Sequence, residues 1–177
     1  IELIDIDLTA MQGAIEQQGI EEKDGIRLVG DTDLSENAFS TEHLADTTIS
    51  SCLFTQLIEQ QPIEFSNNQD AIVRFRAAHL DMLLRTTKPG GTVYFVTDMV
   101  SNLTARQLKS ISEEQLNGFL SNSISQRNFF TGTNPFGTLQ QLKSDPRVAR
   151  ATLLDAWKWE LGPRVFAVYG IQAEVKT

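Results

Sequence analysis

Between Ile72 and Ser101 the chain reads IVRFRAAHLDMLLRTTKPGGTVYFVTDMVS, and this stretch narrows the possible folds more than any other. Ile72, Phe75, His79, Leu80, Leu83 and Leu84 recur at helical spacing, so one apolar stripe faces a core. Pro89 ends that periodicity, because its ring fixes φ and it has no N–H to donate. Gly90 and Gly91 permit the positive φ of a tight turn. TVYFV follows, nearly continuous in apolar and β-branched residues, as in a strand covered on both faces. Helix, turn and buried strand make half of a βαβ unit. Polar groups cluster at the strand's carboxyl end, Thr97–Ser101, where ligand crevices open in parallel α/β sheets.

The rest of the chain fits one domain, residues 1–177, long enough for a core without covalent staples. A formal net charge of −8 with no basic cluster argues against a nucleic-acid partner. The single cysteine, Cys52, excludes an intramolecular disulfide and a cysteine-based zinc site, and favours a reducing, cytoplasmic setting. No apolar run reaches the roughly 18 residues of a membrane helix, so no membrane association is expected. The chain opens at Ile1, already inside a strand pattern, and reads as the C-terminal portion of a longer polypeptide.

Taken in order, IELIDI is a short strand, followed by a helix capped at Thr9 and closed by Gly19. IRLVG is a second strand with Asp31 just beyond it. In TTISSCLFTQL the first half reads as a third strand and the second as a loop or short helix. Asn67 or Asn68 caps the long helix. After Ser101 an insert spans about residues 102–147: an amphipathic segment from Leu103 to Leu120, an aromatic loop (RNFFTGTNPFG), and a short helix ended by Pro146. The chain closes in two strands about a Gly162–Pro163 turn, a hairpin whose last strand must run antiparallel to its neighbour. The expected fold is a Rossmann-like α/β three-layer sandwich, a mostly parallel sheet with one antiparallel C-terminal strand.

Four features together resemble the class I S-adenosylmethionine-dependent methyltransferases. An acidic residue ends the first strand (LIDID), and a Gly-Asp pair follows the second (LVGDTD). A KPGG turn precedes a buried strand, and the chain ends in a hairpin (DAWKWELGPRVFAVYGI). The resemblance covers nearly the whole chain, from the family's second strand onward. The family's first strand and glycine-rich loop have no counterpart here, since no GxGxG occurs. That leaves three alternatives: an upstream segment completes the domain, another chain supplies the strand, or the domain has lost its cofactor.

The resemblance implies S-adenosylmethionine as cofactor and a small-molecule or protein acceptor, with a homodimer left open. It places Asp5 at the ribose hydroxyls, where a carboxylate accepts two donors at once, with Asp7 able to share the role. Asp31 and Thr32 correspond to the adenine side, and Ser50 and Ser51 to the third strand's passage beside the methyl group. Asp98, Ser101, Phe129 and Phe130 fall on the acceptor side. Each has a plainer reading beside it. DID caps a helix, Asp31 sits in a turn, Asp98 caps or turns, and the phenylalanines cover a core. No residue stands out as the catalytic base, and the two distant histidines make no metal site.

Two rival readings remain. One is a cofactor-free, methyltransferase-like assembly module, favoured by the missing glycine loop. The other is a nucleotide-dependent oxidoreductase, disfavoured because no Tyr-x-x-x-Lys pair is present. A serine hydrolase is excluded, because Ser50 and Ser51 lack the G-x-S-x-G elbow.

Overall fold

The computed structural model describes residues 2–4, 27–29, 44–59 and 68–177. The chain divides into two compact units, Ile1–Ser40 and Thr41–Thr177. In the first, β1 (Glu2–Ile4) pairs in parallel with β2 (Arg27–Val29). The second carries all the other elements described below.

In the second unit, β3 (Ala45–Ser51) leads through Cys52 into a short helix α1 (Leu53–Glu59). The long helix α2 spans Gln69–Arg85, and Asn68 is its cap, accepting the Ala71 N–H at 3.0 Å. The expected stripe is the buried one, with Ile72, His79, Leu80, Leu83 and Leu84 facing inward. Arg76, which sits on the same stripe, is buried with them.

The helix ends at Thr86, three residues before the proline. The Thr86 hydroxyl donates to the carbonyls of Met82 and Leu83, both at 3.1 Å, which closes the last turn. Strand β4 then begins at once and runs Thr87–Ser101, so Pro89, Gly90 and Gly91 lie inside it rather than in a separate turn. Gly90 does take a positive φ of 78°. At Gly91 a Cβ would stand 2.8 Å from the Asp46 carbonyl, so the close approach of β3 requires glycine there. The β3–β4 register breaks at this point, between Ala45 and Thr47.

Beyond β4, the amphipathic segment folds as two pieces. A 3₁₀ turn covers Arg106–Lys109 and α3 covers Glu113–Ser125. Ser112 starts the second piece, its N–H donating to the Gln115 side chain at 3.3 Å. Helix α4 (Pro135–Ser144) takes in the end of the aromatic loop, because Asn134 accepts from the N–H groups of Phe136 and Gly137 and Pro135 fits the first turn. Strands β5 (Val148–Leu153), β6 (Trp157–Leu161) and β7 (Arg164–Val175) complete the unit. β5 was not expected from the sequence.

The sheet order is β3-β4-β7-β5, with β6 paired to β7. β3 and β4 are parallel, but β7 runs antiparallel to β4, β5 and β6. This corrects the expectation of a mostly parallel sheet: the α/β architecture stands, but the sheet is mixed. The physical reason is that β7 returns from the tight β6–β7 hairpin into the place between β4 and β5, so each of its neighbours is reversed relative to it. The core lies where α1 and α2 cover β4. Phe54, His79 and Phe95 are all fully buried, and Phe54 meets Phe95 edge-on with ring centroids 5.7 Å apart.

Candidate functional site

The carboxyl ends of β3 and β4 converge on a cleft, and its shape begins with one unusual residue. Cys52 adopts φ 51°, a left-handed conformation that costs a non-glycine residue about 1–2 kcal/mol. Its N–H still donates to the Val96 carbonyl at 2.8 Å, so the chain stays hydrogen-bonded to β4 while bending into α1. The bend carries Cys52 and Thr55 over Asp98, and the Thr55 hydroxyl donates to Asp98 Oδ1 at 2.5 Å. A register shift between Asp98 and Val100 bulges β4 at the same point. Asp98 is only 8% exposed.

Cys52, Thr55, Gln56 and Asp98 form one side of a cleft of about 260 Å³. Phe130 reaches in from the aromatic loop, tethered by its N–H to the Met99 carbonyl at 2.7 Å. The terminal hairpin closes the other side with Trp159, Leu161, Arg164 and Phe166. The Arg164 guanidinium lies over the Phe166 ring, 5.2 Å from its centroid. The walls are therefore mixed, with aromatic and aliphatic faces beside Thr55, Gln56, one carboxylate and one guanidinium. Burial and the neighbouring Asp98 charge push the Cys52 thiol up to about 12, so it stays protonated and unreactive at neutral pH.

Beside the cleft lies a polar pair in the core. Ser50 Oγ and His79 Nε2 are 2.8 Å apart, and both residues are buried. Burial pushes the His79 imidazole down to about 4, so it is neutral. Its Nδ1 has no hydrogen-bond partner among the described residues. A relay needs an orienting group on that second nitrogen and solvent access for the serine. This pair has neither, and it serves packing rather than nucleophilic chemistry.

The ten residues singled out from the sequence fall into three groups. Asp5, Asp7, Asp31 and Thr32 lie outside the described residues. Asp98 and Phe130 meet in the cleft. The other four lie elsewhere. Ser50 is taken up by His79, and Ser51 ends β3 exposed, paired with Val96. Ser101 is buried and accepts the Leu103 N–H through its hydroxyl, which makes it a turn anchor. Phe129 is half-buried and is not among the cleft's lining residues. Thr55, Trp159 and Arg164 were not foreseen. The sequence signal for Trp159 was the Trp-Lys-Trp alternation, which sends Trp157 and Trp159 to one face and Lys158 to the other, where its ammonium donates to the Ile111 carbonyl. No three metal-ligating side chains cluster among the described residues, and no described helix is long and apolar enough to cross a membrane.

No family model matches the sequence, and no curated protein matches it. Solved structures do resemble the fold. The YcgJ protein of Bacillus subtilis superposes with a TM-score of 0.55 at 8% identity, over 99% of this chain and 82% of its own. An S-adenosylmethionine-dependent methyltransferase from Methanosarcina mazei gives 0.52 at 12%, over 99% and 82%. The S-adenosylmethionine-dependent methyltransferase SibL gives 0.51 at 13%, over 99% of this chain but only 43% of its own. A Bordetella parapertussis protein at the same TM-score is likewise spanned over only 53% of its length. At such identities the likeness is one of fold.

Proposed function

We propose that the chain belongs to a methyltransferase that moves a methyl group from S-adenosylmethionine to a small-molecule or protein acceptor. One observation carries the reading: the fold shared with two S-adenosylmethionine-dependent methyltransferases coincides with a cleft at the carboxyl ends of β3 and β4. Crevices beyond the carboxyl ends of parallel strands are where such sheets take ligands. The cofactor supplies an electrophilic methyl on a sulfonium. In this assignment Asp5, with Asp7, holds the ribose, Asp31 and Thr32 meet the adenine, and Ser51 borders the methyl.

The described residues account for the acceptor side. Asp98, anchored by Thr55, orients a polar group of the acceptor, whereas Phe130, Trp159 and Phe166 exclude water around it. Cys52 shapes the floor through its backbone bend and takes no part as a nucleophile.

The test is thermal unfolding in S-adenosylhomocysteine. A ligand at 100 times its Kd stabilises the folded protein by about 2.7 kcal/mol, so the midpoint should rise by several degrees. The rise should vanish in Asp5→Ala. A midpoint unmoved at millimolar ligand would defeat the proposal.

A further inference from the structure

We propose that β6 is the contact strand of a homodimer, pairing antiparallel with β6 of a second copy about a two-fold axis at Trp159. This contact stands independently of methyl transfer. β6 is paired on one side only, with β7, and the two-residue loop Gly162–Pro163 closes their hairpin at Leu161 and Arg164. Leu161 therefore exchanges backbone hydrogen bonds with Arg164. Alternation along an antiparallel pair turns the backbone groups of Trp159 and Trp157 toward β7 as well. Those of Lys158 and Glu160 point the other way, and they meet no backbone partner among the described residues.

An open edge is a template for another strand, and native proteins blunt the edges they leave free. This one is not blunted. β6 holds no proline and no bulge, and its one lysine is turned back onto the Ile111 carbonyl. Trp157, Trp159 and Leu161 line one face of it, 37%, 39% and 48% exposed. Such a tryptophan-rich apolar stripe marks a protein contact. The neighbouring α3 does not block it, because Asn117 reaches only Asp155 and Ala156, before the strand begins.

Charge selects a second copy as the occupant. Reversing WKWEL about Trp159 sets Lys158 opposite the partner's Glu160, and Glu160 opposite the partner's Lys158. These are the positions whose backbone groups face outward, so four backbone hydrogen bonds form together with two opposite-charge pairs. The Lys158 ammonium has three donors, of which the Ile111 carbonyl takes one. On the other face Trp159 meets the partner's Trp159 with Cβ atoms about 4.5–5.5 Å apart. Trp157 meets the partner's Leu161, and the contact closes by its own symmetry. Leu161 lines the cleft, so the partner's Trp157 extends the cleft wall across the axis.

Sedimentation velocity over a series of protein concentrations tests this. The wild type should pass from the mass of one chain to that of two as concentration rises. Glu160→Lys turns both opposite-charge pairs into like-charge pairs and should raise the dimer Kd at least about tenfold. Lys158→Glu should do the same. The double substitution Lys158→Glu/Glu160→Lys restores both pairs with their signs exchanged, and should return the Kd to within about threefold of the wild type. That recovery separates pairing from any damage to the fold in the single variants. A monomer at every concentration up to about 1 mM would overturn the proposal and leave the edge to a strand of another protein. A dimer that ignores either single charge reversal, or a double variant no tighter than the singles, would also overturn it. Cofactor binding by a chain that stays monomeric would remove the dimer alone. A dimer with no affinity for S-adenosylhomocysteine would remove methyl transfer alone.

Discussion

His79 makes the second unit's stability depend on pH in a direction that can be worked out. The imidazole is fully buried and takes up a proton in the folded protein only near pH 4, against 6.5 in an unfolded chain. At pH 7 and above both states are neutral, and the group contributes no pH dependence. As pH falls through 6.5 the unfolded chain binds a proton that the folded one refuses, so stability drops until pH nears 4. Across that window the loss is about 3 kcal/mol, at about 1.4 kcal/mol for each pH unit between the two values. The comparison is with the double substitution Ser50→Ala/His79→Phe, which removes the titrating ring and leaves no hydroxyl stranded. Urea unfolding is followed by the fluorescence of Trp157 and Trp159, both in the second unit, from pH 7.5 to pH 4.5. Carboxylates contribute a background shared by both proteins. The wild type should lose about 2–3 kcal/mol more than the variant over this range. Parallel pH profiles would refute the assignment of a neutral, buried histidine.

Three further predictions concern the packing around the cleft. Arg76 is buried and donates to the Gly132 carbonyl at 2.7 Å and to the Gln141 side chain, clamping the aromatic loop and α4 onto α2. Arg76→Leu should therefore lower stability by about 2–4 kcal/mol in urea unfolding, and a loss under 0.5 kcal/mol would contradict the clamp. Gly132 has φ 81°, and a Cβ there would stand 2.8 Å from Ile72 and 2.9 Å from Ile58. Gly132→Ala should cost at least about 1–2 kcal/mol, read as a lowered thermal midpoint, with an unchanged midpoint as the contrary result. Cys52, with its thiol pushed up to about 12, should resist a disulfide reagent at pH 8 in the native state and react once urea unfolds the chain; rapid stoichiometric labelling of the native protein would show the thiol is exposed.

What the sequence made legible was periodic or punctuated. The stripe of α2, the Asn68 cap, the buried β4 and the final hairpin all follow from spacing and turn chemistry over a few residues. Arg76 fell on that same stripe, but a charged residue there reads as solvent-facing until a carbonyl such as that of Gly132 is brought to meet it. The sheet's polarity was harder to see. Nothing local tells β7 to insert between β4 and β5, and β5 itself shows little alternation, with only Val148 and Ala151 buried. The cleft was legible only in part. Asp98 was found because it opens the polar cluster after the apolar run TVYFV, although β4 continues through it to Ser101, and Phe130 because its loop is dense in aromatics. Thr55 and Arg164 join them only through tertiary structure, and Ser50 was claimed by His79 from a helix distant in sequence.

The proposed methyl transfer requires S-adenosylmethionine to bind. Calorimetric titration of S-adenosylmethionine into the protein tests this most directly. Even a Kd of about 100 µM corresponds to about 5.5 kcal/mol of binding free energy, enough to trace a saturable curve. The account predicts one equivalent of ligand bound, with S-adenosylhomocysteine competing and Asp5→Ala abolishing the heat. A flat trace at millimolar ligand would contradict it, leaving a methyltransferase-like fold that does not take this cofactor.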